Sequence, residues 1–203
     1  MVLIIKANPK TAENSVGLKV GQVFVNAYKE ANPTATITEI NLYERLVPEI
    51  DGDMLTAWAA LQKGTAFTDL SNEQQEKLEA ANNILDEFIN HDKHVFITPM
   101  WNFIYPARLK SYLDALCVAG KTFKYTEAGP IGLIKGKKAL HIHASGGKHN
   151  GAQATTHLNG LLNFIGIDDI ETLIIEGHEQ TPDKADEIIK KAEAKAKEIA
   201  LRF

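Results

Sequence analysis

The stretch "HVFITPMWNFIYPARLKSYLDALC" runs from His94 to Cys117. It opens with "HVFIT", an apolar and β-branched run that reads as a buried strand. Two prolines, Pro99 and Pro106, then bracket a loop holding Met100, Trp101, Asn102 and Phe103. Pro106 suits the first turn of a helix, because its missing N–H would be unpaired there anyway. Leu109, Leu113 and Leu116 follow at helical spacing and mark the face that helix buries. Strand, tight loop and helix make one βα unit, and the question is whether the rest of the chain repeats it.

It does. Val2 to Ile5 is a short aliphatic strand pattern ending in a loop, and Val16, Val20, Phe24 and Ala27 then fall on one helical face. "ANP" at Ala31 to Pro33 stops that helix. "ATITEINL" (Ala35 to Leu42) alternates as a strand does, and Asp51 to Leu61 is helical in pattern. Ser71 with Gln74 forms a capping box before a long helix that buries Leu78, Ala81, Leu85 and Phe88. "KALHIHA" is the fourth strand, Ala152 to Ile165 a helix, and "IETLIIEG" the fifth strand. Thr181-Pro182 starts a charged final helix. Strands alternating with helices imply parallel pairing through crossovers, so the expected fold is α/β. It is a flavodoxin-like, doubly wound parallel sheet of five strands, order 2-1-3-4-5, with helices on both faces. The segment 120–137 breaks the alternation and reads as a hairpin-like excursion. With no repeat, linker or low-complexity tract, residues 1–203 read as a single domain.

Bulk properties narrow the function classes. Hydrophobic residues are 44% and charged residues 24% of the 203, an ordinary globular balance. The net charge is −4 without a basic stripe, which argues against nucleic acid. The lone Cys117 cannot pair within the chain and points to a reducing compartment. No stretch reaches the roughly 18 apolar residues of a membrane span. The opening "MVLIIKANPK" lacks the basic and long apolar regions of a signal peptide. The expectation is a cytoplasmic protein with no membrane contact.

Ligands of open parallel sheets bind beyond the carboxyl ends of the strands, near the switch in strand order. The loops leaving strands one, three and four there are "NPKTAENSVG", "PMWNFIYP" and "ASGGKHNG". The first leads into a helix N-terminus, where Asn8, Asn14, Ser15, Val16 and Gly17 offer donors to an anion. A simple helix cap by Asn14 or Ser15 explains the same residues. GxGxxG and GxxxxGK[ST] are both absent. In the second loop Met100, Trp101 and Phe103 can pack on a planar ring whose heteroatoms Asn102 and the turn amides would bond. Buried aromatics are common, and Phe103 alone fits a core role equally well. In the third loop Gly146, Gly147 and Gly151 permit close backbone approach, and His149 can donate or titrate near neutrality. Gly-Gly is also a plain turn signal.

His141 and His143 share one strand face but lack a third ligand, so no metal site is expected. His157 has no evident partner. Cys117 lies in an apolar helix pattern without CxxC and reads as an inert thiol. No GxSxG elbow supports a hydrolase.

Four stretches carry a family resemblance: "PMWNF", "LKSYLDALCVAGKTFKYTEAGPIGLIKGKKAL", "GGKH" and "FIGI" at Phe164. Through them the chain resembles the FMN-dependent NADH-azoreductases, a family of flavodoxin-like NAD(P)H:quinone oxidoreductases. The resemblance implies a homodimer with bound FMN and with NADH as co-substrate. It implies ping-pong reduction of quinones and reductive cleavage of azo compounds. It assigns the phosphate loop to Asn8, Ser15, Val16 and Gly17, and the ring loop to Pro99, Met100, Trp101, Asn102 and Phe103. A second flavin-edge loop corresponds to Ala144, Ser145, Gly146 and Gly147, with His149 beyond. Phe123, Tyr125 and Phe164 correspond to substrate-lining aromatics. No covalent catalytic residue is implied; His149 and Asn102 are candidates for tuning the flavin. Relatives often carry hydroxyls in the phosphate loop and an Arg before the glycine pair, where this chain has Asn14-Ser15-Val16-Gly17 and Ser145. The alternative of another class is a flavodoxin-like electron carrier with a protein partner. Flavodoxins are usually strongly acidic, and a net charge of −4 does not mark such a docking surface.

Overall fold

The computed structural model describes the backbone of residues 1–203 and every side chain except that of Ala152. Strands β1 (Val2–Lys6), β2 (Ile37–Asn41), β3 (Lys93–Pro99), β6 (Lys138–Ser145) and β7 (Asp169–Glu176) form one sheet in the order β2-β1-β3-β6-β7. All four pairings in it are parallel. The order differs from the expected 2-1-3-4-5 because the excursion contributes two strands of its own, β4 (Phe123–Thr126) and β5 (Gly129–Gly132). These pair antiparallel with each other, outside the sheet.

Alternation along each strand divides the core into two layers. Val2 and Ile4 of β1, with Val95, Ile97, Leu140 and Ile142, face one side. There they meet α1 (Val16–Ala31) through Val20 and Phe24, and α6 (Ala185–Arg202) through Ala196 and Ile199. Leu3, Ile5 and Phe96 face the other side. That layer holds α3 (Asn72–Asn90) with Ile84 and Phe88, α4 (Ala107–Leu116) with Leu109 and Leu113, and α5 (Ala152–Ile165) with Leu158. Strands buried on both faces explain the unbroken apolar runs of the sequence.

Local signals set the helix ends. The Ser71–Gln74 capping box is formed in both directions. Asp51 caps α2 (Gly52–Gln62) by accepting from the Met54 N–H. Pro106 stands one residue earlier than expected, as the extended N-cap of α4 and not inside its first turn. A short 3-10 turn at Pro182–Lys184 separates Thr181 from α6.

Two glycines of the recognisable stretches meet in space. A Cβ on Gly132 would lie 2.2 Å from the Gly166 nitrogen and 2.3 Å from the Ile165 carbonyl carbon. Gly166 itself ends α5 in the left-handed region at φ 110. The hairpin therefore docks on the end of α5 backbone to backbone, and Ile134 N–H donates to the Ile165 carbonyl beside it, at 2.9 Å.

Three imidazoles lie within the layer under α3–α5: His94, His141 and His143. Burial lowers His94 and His143 to about 4, and His141 well below its ordinary value. His141 Nε2 and His143 Nδ1 both bond the hydroxyl of Thr98, at 2.8 and 2.7 Å. That oxygen has one proton, so it donates to one ring and accepts from the other.

Gly132→Ala forces two backbones apart and should cost about 1–3 kcal/mol in denaturant unfolding. Gly160→Ala, with nothing within 4 Å of its added Cβ, should instead stabilise α5 by up to about 1 kcal/mol; equal effects would refute the contact account. The buried imidazoles make stability depend on pH. Unfolded, they take up protons below 6.5, whereas two of the three folded ones do so only near 4. Their contribution is therefore complete above that upper value and is lost as pH falls between the two. Each group contributes a slope of up to about 1.4 kcal/mol per pH unit. Urea midpoints at pH 7 and 5 measure this; a flat profile would show that the rings are not held neutral.

Candidate functional site at the carboxyl ends of the strands

The first loop is organised around Asn8, a buried side chain. Its Nδ2 donates to Ser15 Oγ at 3.0 Å, and its Oδ1 accepts from the Lys10 N–H at 3.0 Å. Ser15 Oγ also accepts from the Leu18 N–H at 3.4 Å, capping α1. With both lone pairs engaged, the Ser15 hydroxyl is left only its proton to offer. The first-turn N–H groups of Val16 and Gly17 have no intrahelical acceptor, and that turn holds no acidic side chain. Free donors at the positive end of a helix dipole are the chemistry that suits an anion. Asn14 turns aside, its Nδ2 on Thr11 Oγ1 at 3.2 Å.

Gly17 joins this loop to the other two. A Cβ there would lie 3.2 Å from the Ala144 Cβ and 3.7 Å from the Thr98 carbonyl oxygen. The first turn of α1 thus rests on the ends of β3 and β6.

Beyond β3, the Met100 N–H donates to the Ala144 carbonyl at 2.7 Å, tying the two strand ends together. Trp101 and Ile104 then pair as a two-residue hairpin, with Trp101 N–H on the Ile104 carbonyl at 2.7 Å. Its central residues, Asn102 and Phe103, have φ of 50 and 73. Positive φ at both positions is the type I′ pattern. Asn tolerates it; a bulky residue such as Phe rarely does. Trp101 is 41% and Phe103 63% exposed. The Trp101 ring meets Tyr43 edge-on at 6.3 Å. Two large rings are therefore held at the surface by a strained turn, which answers why they are not core residues.

Beyond β6, Ser145 is buried and donates its hydroxyl to the Gly147 carbonyl at 2.7 Å, closing the turn. Gly146 lies against Glu179, whose carboxylate would come 2.2 Å from an added Cβ. The Gly146 carbonyl accepts from Glu179 and Gln180 N–H, both at 3.1 Å. Glu176 accepts from the Asn150 and Gly151 N–H groups at 2.9 and 2.6 Å. His149 is exposed and stands edge-on to Phe103 at 6.0 Å. The loops after β3 and β6 therefore share a rim.

Phe123, Tyr125 and Phe164 form their own cluster, with Phe123 4.5 Å from Phe164 and 5.4 Å from Tyr125. Phe123 is buried and backs Tyr125, which is 74% exposed. Sequence reasoning missed three supports: Glu176, the 179–180 turn, and the partner of His157, which is the Tyr105 hydroxyl. None has a local signal; each acts from a distant part of the chain.

The donor set at α1, the exposed rings and the glycine backbone fit a phosphate-bearing planar group such as FMN. Comparison with known proteins agrees along the whole chain. The family described as "Flavodoxin-like fold" matches residues 1–200. An FMN-dependent NADH:quinone oxidoreductase of Bacillus cereus is 48% identical over 208 aligned positions, covering 100% of this chain and 99% of that protein. The azoreductase structure from Bacillus anthracis str. Sterne superposes with TM-score 0.90 at 39% identity, covering 100% and 99% of the two chains. An FMN-dependent NADH-azoreductase from Bacillus anthracis str. Ames Ancestor, solved in complex with FMN, gives 0.91 at 34%, covering 99% and 98%. The chain belongs to the flavodoxin-like family of FMN-dependent NADH:quinone oxidoreductases and azoreductases.

Proposed function

We propose that this chain is an FMN-dependent NADH:quinone oxidoreductase that also cleaves aromatic azo compounds reductively, working as a cytoplasmic homodimer of single-domain subunits. The observation that carries this reading is the convergence on Gly17: an anion-binding helix end touches the strands that bear the exposed rings. Bound FMN would supply the two-electron chemistry, accepting from NADH and then giving to a quinone or azo acceptor at the same face, a ping-pong order.

The residues do the rest. The Ser15 hydroxyl and the Val16 and Gly17 N–H groups hold the phosphate, and Asn8 keeps Ser15 in place. Pro99 and Met100 fix the base of the ring loop, and Trp101 and Phe103 shield one side of the ring from water. Asn102 bonds the ring edge. Gly146 and Gly147 let the backbone approach, with Ala144 and Ser145 shaping their turn. His149 donates to the edge where charge develops, and preorganised donors of this kind are how proteins stabilise such charge. Phe123, Tyr125 and Phe164 wall the substrate side.

The dimer draws support from exposed apolar surface. Leu46, Ile50 and Leu55 are each about half exposed, and Ile50 borders an apolar groove of about 520 Å³ lined also by Met54, Trp58, Phe67 and Val118. An exposed Ile50 at the edge of an apolar groove suits an interface between two copies.

The purified chain given excess FMN should leave gel filtration yellow, bleach under anaerobic NADH and recover colour with menadione or methyl red; a colourless protein ends the proposal. Ser15→Ala removes a hydroxyl donor to a dianion and should raise the FMN Kd by at least about tenfold. Light scattering should give twice the chain mass of 22.4 kDa, and Ile50→Lys should shift it toward one; a monomer in the unsubstituted chain would overturn the dimer.

A further inference from the structure

We propose that the hydrogen bond between the Tyr105 hydroxyl and His157 Nδ1 is a latch that fixes the ring-bearing hairpin 101–104 against the loop 145–151. Tyr105 and His157 are thus positioning residues for the cofactor, and the proposal rests on the FMN reading above.

Tyr105 immediately follows the hairpin and precedes Pro106, the N-cap of α4. It is buried in the core layer beneath α4 and α5, the layer that also holds Ala154 and Leu158. Burial pushes its phenol up, so the hydroxyl keeps its proton. It bonds His157 Nδ1, donating to the ring or accepting from it according to the imidazole tautomer. His157 lies on α5, and α5 starts where the loop 145–151 ends. Glu176 grips the Gly151 N–H at that junction, so helix and loop are held together there.

Hairpin and loop are therefore joined in three places. The Met100–Ala144 backbone bond ties their bases. Phe103 and His149 touch at the solvent rim. Tyr105–His157 ties the far end of the hairpin from inside. Such ties matter because the hairpin holds a phenylalanine at φ 73. Backbone strain of this type costs about 1–3 kcal/mol and persists only where surrounding contacts enforce it. Among the described residues, the backbone of the last hairpin residue, Ile104, bonds only back to Trp101, at 2.7 and 3.3 Å. The Ile104 side chain packs on the core that α4 and α5 share, and the side chain of the next residue adds a hydrogen bond to α5. A buried tyrosine needs some partner in any case, and a purely structural bond would stabilise apo and loaded protein alike. A latch acts on the geometry of the ring loop, and so on cofactor affinity.

The test titrates apo-protein with FMN by quenching of flavin fluorescence, for the unsubstituted chain, Tyr105→Phe, His157→Ala, the double variant and His157→Asn. Hydrogen exchange of the apo forms is read alongside. Tyr105→Phe and His157→Ala should each raise the Kd about tenfold, the worth of one buried hydrogen bond. The double variant should be no weaker than either alone. His157→Asn, which keeps a hydrogen-bonding group near Nδ1, should stay within about threefold. Amides of residues 101–104 should exchange faster in Tyr105→Phe while those of β1 do not change. Multiplicative losses, an unchanged Kd in Tyr105→Phe, or unchanged exchange at 101–104 would each overturn the latch. If the unsubstituted chain takes no FMN, the cofactor reading fails separately, and exchange at 101–104 alone decides the latch.

Discussion

The site depends on one close approach, the first turn of α1 against the ends of β3 and β6 at Gly17. Parallel pairing sends every strand's carboxyl end to the same edge, but that alone leaves the loops side by side, not touching. A missing Cβ lets α1 settle onto Ala144 and the Thr98 carbonyl. The helix end that can hold an anion then lies where the ring-bearing turns begin. Gly21 extends the same seam one turn on, where a Cβ would meet Ile97 Cδ1 at 2.4 Å. A Cβ at Gly17 would need Ala144 to give by a few tenths of an ångström, and one at Gly21 would need the Ile97 side chain to turn aside, so both glycines set how closely α1 lies on the sheet.

The fold is legible in the chain because its physics is periodic. A run such as "VLIIK" is apolar on both faces, as a strand covered on both sides requires. Capping residues Asp51 and Ser71 mark helix starts within a residue. Counting is what misleads: the excursion at 120–137 holds true strands, and they shift the numbering of the sheet. Its docking on Gly166 is a contact between backbones, and no side-chain pattern announces one.

The candidate site is legible in part. Its three loops can be named because Gly, Pro, Asn and exposed aromatics are costly choices where the chain only has to turn. Their supports cannot. Glu176, Glu179 and Gln180 reach the glycine loop from the end of β7, and Tyr105 finds His157 across 52 residues. Partners of that kind are set by topology, and a single sequence does not record them. Phe123 shows the converse limit: its aromatic identity is visible, but not that it lies beneath Tyr125 and not beside it.

The histidines show how a single alternation decides chemistry. "HIH" and "GGKH" look alike as sources of imidazole. Strand parity turns His141 and His143 inward, close below Pro99 and Ala144, where burial keeps them neutral and Thr98 donates to one ring and accepts from the other. His141 Nδ1 and His143 Nε2 find no acceptor or donor among the described residues. The pair is thus a buried, hydrogen-bonded floor. His149 escapes this fate because the chain leaves the sheet at Ser145 and turns through two glycines. It arrives at the rim, exposed and against Phe103. Of these imidazoles it alone meets solvent. The loop thus presents an imidazole at the rim, while strand parity keeps the other two in the buried layer beneath it.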